Sequence, residues 1–376
     1  MPRPQDNIRV EAVGIGELAA PFTSITVIND LMSPSEAAFE LGNDGTFAAI
    51  EDQVAHGTEY KIWVNNKLRL TGRVEAQDIP MDAMGGSVVR FTVRTKLADA
   101  MFASAPEGLR VKDTSIKDFI LKLYEPLGYA ESDFVFDQYV SRDLLTGRST
   151  GGQGTPVGVD LEPIAVADAK VQPPETIYDA ADRHLRRHGF IHWDSPDGKI
   201  VVGGINDTQE AIYKLLCNRS TTNVANNVLA LTRVRDWSDI PSRTAVFGVG
   251  AGRGTSRARV GYQTIDQDVI DAGFHRPVNI IAEGIRKSGL AKQAALREQS
   301  ARSKQKDAWQ VQLDQWSYWD GYTNVPWGVD CVIEVESDLA GGPLGKYYVH
   351  RVMLNRTPSD GDTSNISILA AGIWRL

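Results

Sequence analysis

Alternation of apolar and polar positions dominates both ends of the chain. In residues 60–72, YKIWVNNKLRLTG, two alternating runs flank Asn65-Asn66, a dipeptide that tolerates the left-handed backbone of a tight hairpin turn. Residues 87–95, SVVRFTVRT, are rich in β-branched side chains and follow Gly85-Gly86, so they predict the next strand. Short strands separated by turn residues are the expectation from residue 8 to about residue 103. The same period returns from about residue 223, with strands predicted over 227–235, 243–249, 331–336, 346–355 and 364–370.

Between these ends the period lengthens. Asp113-Thr114-Ser115 offers an N-cap to IKDFILKLYEPLGY, and Gly128 a stop. A second helix, from PETIYDAADRHLRRHGF, is predicted to start at Pro174 and end at Gly189. The two resemble each other: Ile116, Asp118, Gly128 and Tyr129 recur at one constant offset as Ile177, Asp179, Gly189 and Phe190. Pro196-Asp197-Gly198 predicts a turn between two strands, and residues 145–158 a glycine-rich loop. A third helix is expected over about 282–306. It is thinly apolar and basic, with Arg286, Lys287, Lys292, Arg297, Arg302, Lys304 and Lys306. The fold class predicted is mainly β with an α+β middle: a β domain over 1–105, a mixed α/β region over 106–222 and a second β domain with one helix over 223–376.

A further internal correspondence relates the two ends. Arg73, Val74, Pro80 and Asp82 recur at a single offset as Arg351, Val352, Pro358 and Asp360, each set within a strand, turn, strand pattern. This predicts that the first and last β domains are duplicates.

Composition and charge narrow the chemistry. The formal net charge of −8 argues against a protein whose main task is to hold nucleic acid by neutralising phosphates. The 2 cysteines, Cys217 and Cys331, lie far apart, indicating neither a disulfide framework nor a thiolate zinc site. No stretch is long and apolar enough to read as a membrane span, and MPRPQDNIRV lacks the apolar region of a signal peptide, so folding in a cytoplasm is expected.

The glycines of VFGVGAGRGTSRARV (Gly248, Gly250, Gly252, Gly254) suggest a phosphate loop, but the Lys-Ser/Thr pair and a following amphipathic helix are missing. A loop between strands is the plainer reading, with Arg253, Arg257 and Arg259 as candidates for contacting a partner. His184 and His188 share a helix face at the spacing of paired zinc ligands, with His192 beyond Gly189. They are weak metal candidates, because Leu185 stands where a metalloprotease motif places glutamate. There is no GxSxG, and no serine or cysteine is locally marked as a nucleophile, so no catalytic residue and no cofactor are assigned. Trp309, Trp316, Trp319 and Trp327 cluster in a pattern suited to a β-rich core or a subunit interface.

The order of motifs in the second half resembles the baseplate hub proteins of contractile-tailed, Mu-like phages, relatives of late-control tail proteins and type VI spike bases. The resembling elements are ETIYDAADRHLRRHGFIHWDSPDGKIVV, NNVLALTRVRDWSDIPSRTAVFGVG, DAGFHRPVNIIAEG with the basic helix, WSYWDGYTNVPWGVDCVIEV and YYVHRVMLNRTPSDGDTSNISILAAGIW. This resemblance implies two tail-tube-like antiparallel β-barrel or sandwich domains in each protomer of a homotrimer. Three chains then form a pseudo-sixfold ring that joins the tail tube protein to the central spike protein, amid other baseplate proteins. DNA would pass transiently through its lumen, which the net charge of −8 per chain would make acidic, with no stable membrane insertion. It also implies a virion location, in the tail baseplate, after assembly in the host cytoplasm. The family supplies no catalytic residues, so a non-enzyme is expected. The alternatives are the hub of another contractile injection system and a tail-associated hydrolase.

Overall fold

A computed structural model describes residues 6–18, 22–43, 54–78, 81–82, 86–109, 111, 114–136, 139–140, 155–156, 163–164, 170–172, 174–188, 190–205, 207, 209–218, 226–249, 259–282, 285, 288–319, 324–339 and 341–371. The N-terminal unit is built from β1 (Ile8–Ala12), β2 (Phe22–Asp30), β3 (Glu36–Asn43), β4 (Glu59–Val64), β5 (Lys67–Asp78) and β6 (Gly86–Arg94). The predicted hairpin turn joins β4 to β5, where Asn65 and Asn66 adopt φ of 50° and 61°. Two consecutive left-handed residues match the right-handed twist of the flanking strands.

The middle region contains α1 (Lys96–Phe102), α2 (Ile116–Tyr124), β7 (Phe134–Phe136), α3 (Ile177–His188), β8 (Ile191–Asp194) and β9 (Ile200–Gly203). Both resembling helices begin alike. The Ser115 hydroxyl accepts from the N–H of Asp118 at 3.0 Å, and the Thr176 hydroxyl from that of Asp179 at 3.0 Å. Each thereby satisfies an otherwise orphaned first-turn donor. The helices bury Phe119, Ile120, Leu123, Ile177, Ala181 and Leu185 in one cluster, closed by Ile200 and Val202 of β9.

The C-terminal unit follows with β10 (Ala211–Cys217), β11 (Val228–Val234), β12 (Arg243–Val249), β13 (Arg259–Ile265), β14 (Pro277–Ala282), α4 (Ser288–Ser303), β15 (Ala308–Asp314), β16 (Cys331–Ser337), β17 (Gly345–Thr357) and β18 (Gly361–Ala370). The basic helix is shorter than predicted. Residues 277–282 form a strand parallel to β12, which supplies the backbone partners that a helix from 282 would have forgone. Strand β10, on the middle side of the 222/223 boundary, pairs in parallel with β16 and alternates in burial as a half-buried strand does.

The two units share one strand order. The first unit runs β2-β3-β6-β5-β4-β1, and the second runs β11-β15-β18-β17-β16-β10, so corresponding strands occupy corresponding places. The bulges correspond too: Glu75 in β5 and His350 in β17 are each skipped by the partner strand, as are Thr23 in β2 and Leu229 in β11. The repeat is present, but its register corrects the sequence reading: Val74 stands where Val349 does, not where Val352 does. The recurring residues Arg73-Val74 and Arg351-Val352 lie on equivalent strands on opposite sides of the bulge. The outermost pairings differ, since β1 meets β4 antiparallel and β10 meets β16 parallel. The units also share one core, in which Val10, Ile62 and Phe91 join Tyr213, Leu215, Trp316, Trp327 and Val335.

Candidate assembly interface

The two units join edge to edge. Strand β2 pairs antiparallel with the distal half of β17, in the register Asp30 with Arg351 through Ile25 with Arg356, so both units belong to one 14-stranded sheet. Side chains reinforce the seam: the Thr26 hydroxyl donates to Oδ1 of Asn355 at 3.1 Å, and Arg351 pairs with Asp30 at 3.6 Å. Strand β17 is long enough to serve two neighbours on one edge. Residues 345–349 hold β16, and residues 351–356 hold β2.

A second clasp sits at Asp6, which is 5% exposed. One carboxylate oxygen accepts from the N–H of Trp316 at 2.6 Å, and the other from Nδ2 of Asn65 at 2.6 Å and from the hydroxyl of Ser317. A buried carboxylate needs several donors to offset lost hydration, and these come from both units. Nothing in the sequence pattern marks Asp6, since its partners come together only after both units fold.

The middle region is pinned to the seam side of the first unit. Asp194, at the end of β8, accepts from the N–H of Ser35 at 2.9 Å and from the hydroxyl of Thr95 at 2.6 Å. Burial outweighs these donors and pushes its pKa up to about 6. Two residues earlier, burial and then the nearby Arg186 hold His192 down at about 3, so it is neutral, with its ring centroid 4.4 Å from that of Tyr178. Ile191 and Trp193, on the alternate face, pack with Leu31, Val332, Tyr348 and Leu369, where both units meet the middle region.

The candidate residues are placed as follows. His184 is fully buried in the helical core with its ring centroid 4.3 Å from that of Phe119, and His188 closes the same helix. Among the described residues no group of three or more His, Cys, Asp and Glu side chains is placed to hold a metal ion. Arg259 opens β13, while Arg253 and Arg257 lie outside the described residues, as does most of the 145–158 loop. Trp316 and Trp327 are fully buried and Trp309 nearly so, all within the shared core.

The transverse rows of the sheet expose an asymmetry. Ile25, Phe39, Phe91 and Gln77 form one row, and Leu231, Val311, Ile366 and Val352 form its counterpart. Ile25 and Val352, flanked at the seam, are 1% and 0% exposed. Their counterparts Leu231 and Gln77, at the two outer ends, are only half-buried.

This architecture has known relatives. The chain is 22% identical over 364 residues to the baseplate hub protein gp44 of Escherichia phage Mu, covering 94% of this chain and 85% of that protein. A tail protein from Neisseria meningitidis superposes with a TM-score of 0.74 at 16% identity, over 99% of this chain and 98% of that one. The fold is that of phage tail proteins. The 43 kDa tail protein of prophage MuSo2 from Shewanella oneidensis agrees, with a TM-score of 0.69 at 14% identity over 98% of this chain and 99% of that one. No protein-family profile matches the chain. The resemblance to Mu-like baseplate hubs, first read from motif order, is thus borne out across nearly the whole length, including the first 170 residues where the motifs were sparse.

Proposed function

We propose that this chain is a structural baseplate hub of a contractile tail: a homotrimeric, pseudo-sixfold ring that joins the tail tube to the central spike and leaves a channel for DNA. The observation that carries this reading is the repeated strand order joined edge to edge within one chain. A protomer with two equivalent units side by side supplies two of the places around a ring, so three protomers supply six. That count reconciles a sixfold tube with a threefold spike, and a closed ring leaves no terminal sheet edge to aggregate.

The rest of the molecule supports a mechanical role. The shared core and the Asp6 clasp tie the units into a single rigid element suited to bearing load. With three copies at −8 each, an acidic ring would let phosphates slide past without capture. The proposed partners are the tail tube protein, the central spike protein, other baseplate proteins and passing DNA. The proposed location is the tail baseplate, after assembly in the host cytoplasm, and no catalytic step is assigned to it.

Arg253 and Arg257, between β12 and β13 in sequence, and Arg259, which opens β13, are proposed to touch a neighbouring ring or the spike. Native mass and electron microscopy down the particle axis test the ring, the expected result being a threefold particle with six similar lobes. A persistent monomer across protein and salt concentrations overturns it. Replacing the three arginines with alanine should weaken assembly or partner binding, and an unchanged assembly would refute that contact.

A further inference from the structure

Resting on the ring reading, we infer that the seam inside each chain is repeated between chains: β11 of one copy adds antiparallel to the distal edge of β5 in the next. Each of these strands has an open edge: β11 along its length, β5 over its distal half. Among the described residues β11 pairs with β15 alone, and beyond Val74 β5 pairs with β6 alone. Their counterparts are the two strands that meet at the internal seam, β2 and β17. The missing neighbour of each open edge is therefore the other open edge, on a second copy, because the geometry within one chain is already spent on the seam.

Exposure agrees with this assignment. Leu229 on β11 is 52% exposed, an apolar side chain on an unpaired edge, which soluble proteins ordinarily cover or charge. On β5, Ala76 and Asp78 are exposed, whereas Arg351 and Met353, in the same places on β17, are half-buried. Charge is complementary as well. The β5 edge carries Asp78, and the residue after β11 is Arg235, its side chain 57% exposed, whereas Glu75 and Arg233 already pair with Arg94 and Asp307 within the chain. Opposite charge favours docking between unlike edges and disfavours β5 on β5 or β11 on β11.

The coincident bulges transfer the register. Met353 faces Ile28 at the seam, and counting from the bulges Asp78 stands in the place of Met353 and Val234 in that of Ile28. Asp78 should therefore lie opposite Val234 of the next copy, and Gln77 opposite Arg235. The contact is heterologous, the kind that propagates head to tail and closes only when its rotation completes a circle.

The test uses variants of the full chain that each add one cysteine to the buried Cys217 and Cys331, Asp78→Cys and Val234→Cys, treated with a short bis-maleimide alone and after mixing and reassembly, with the parent chain as the blank. Gln77→Cys with Arg235→Cys, on the other sheet face, serves if either of the first pair fails to fold. The double variant Thr26→Cys/Asn355→Cys, across the internal seam, is the control for reactivity. A covalent dimer from the mixture, and none from either variant alone, is the expected result. Multimers by native mass that give no covalent dimer while the control reacts would overturn the edge pairing and leave the ring reading standing. Dimers from one variant alone would indicate like-with-like packing and also overturn it. A monomer throughout overturns the ring reading, and the edge pairing with it.

Discussion

At the residue scale, Asp194 and His192 act with opposite signs on stability. The folded pKa of Asp194, about 6, lies above its ordinary 3.8, so the folded state binds the extra proton and the stability held at low pH is lost as pH rises between those values. The folded pKa of His192, about 3, lies below its ordinary 6.5, so its contribution is present above that value and is lost as pH falls toward 3. Asp194→Asn should remove the first dependence and His192→Phe the second, read as melting temperature against pH. A profile parallel to the parent's would sink either assignment. Asp6→Ala leaves buried donors at Trp316, Ser317 and Asn65 without their acceptor and should cost about 1–3 kcal/mol in denaturant unfolding. Trp316→Ala, at a fully buried position in the shared core, should cost about 3–5 kcal/mol and loosen both units together.

At the element scale, local chemistry explains most of what the chain makes. The Asn65-Asn66 turn, the Ser115 cap and the left-handed Gly128 stop follow from side-chain and backbone preferences that act over a few residues. The third helix lies within its predicted span, and what local pattern did not show is the strand before it: residues 277–282 pair because β12 lies alongside them. Gly248 shows how tightly that inserted module is built. A Cβ there would lie 2.0 Å from the carbonyl oxygen of Ile285, so the backbone segments approach as only glycine permits. Gly248→Ala should detach α4 from its three-stranded sheet, with faster amide hydrogen exchange confined to residues 243–303. Unchanged exchange there would contradict the close approach.

At the scale of the whole molecule, the two units share one strand order and differ by an insertion. In the first, β2 turns directly into β3. In the second, the equivalent passage from β11 to β15 admits β12, β13, β14 and α4. The sheet keeps its order despite the insertion because both ends of the added module return to adjacent strands. The outer face of the module presents Phe247 and Ile281, which are 43% and 76% exposed and lie opposite each other across β12 and β14. In the proposed trimeric ring that face would recur three times around the axis. Deleting residues 236–306 and joining the strands with a short turn should leave the sheet order intact, with native mass reporting whether the ring also survives.

What the sequence by itself determined was the set of elements and their kinship. Alternation, caps and turns act locally, and the recurrence of Arg73-Val74 as Arg351-Val352 pointed to related ends, although the shared strand order and not those residues carries the relation. It did not determine the register of that repeat, because the recurring Arg-Val pairs are not the structurally equivalent residues, and the coincident bulges at Glu75 and His350 that set the register leave no compositional trace. Nor did it show Asp6 and Asp194, whose donors lie up to hundreds of residues away, or the seam between β2 and β17. Edge pairing uses backbone groups that every residue carries, so only the tertiary structure decides which edges meet and which are left open.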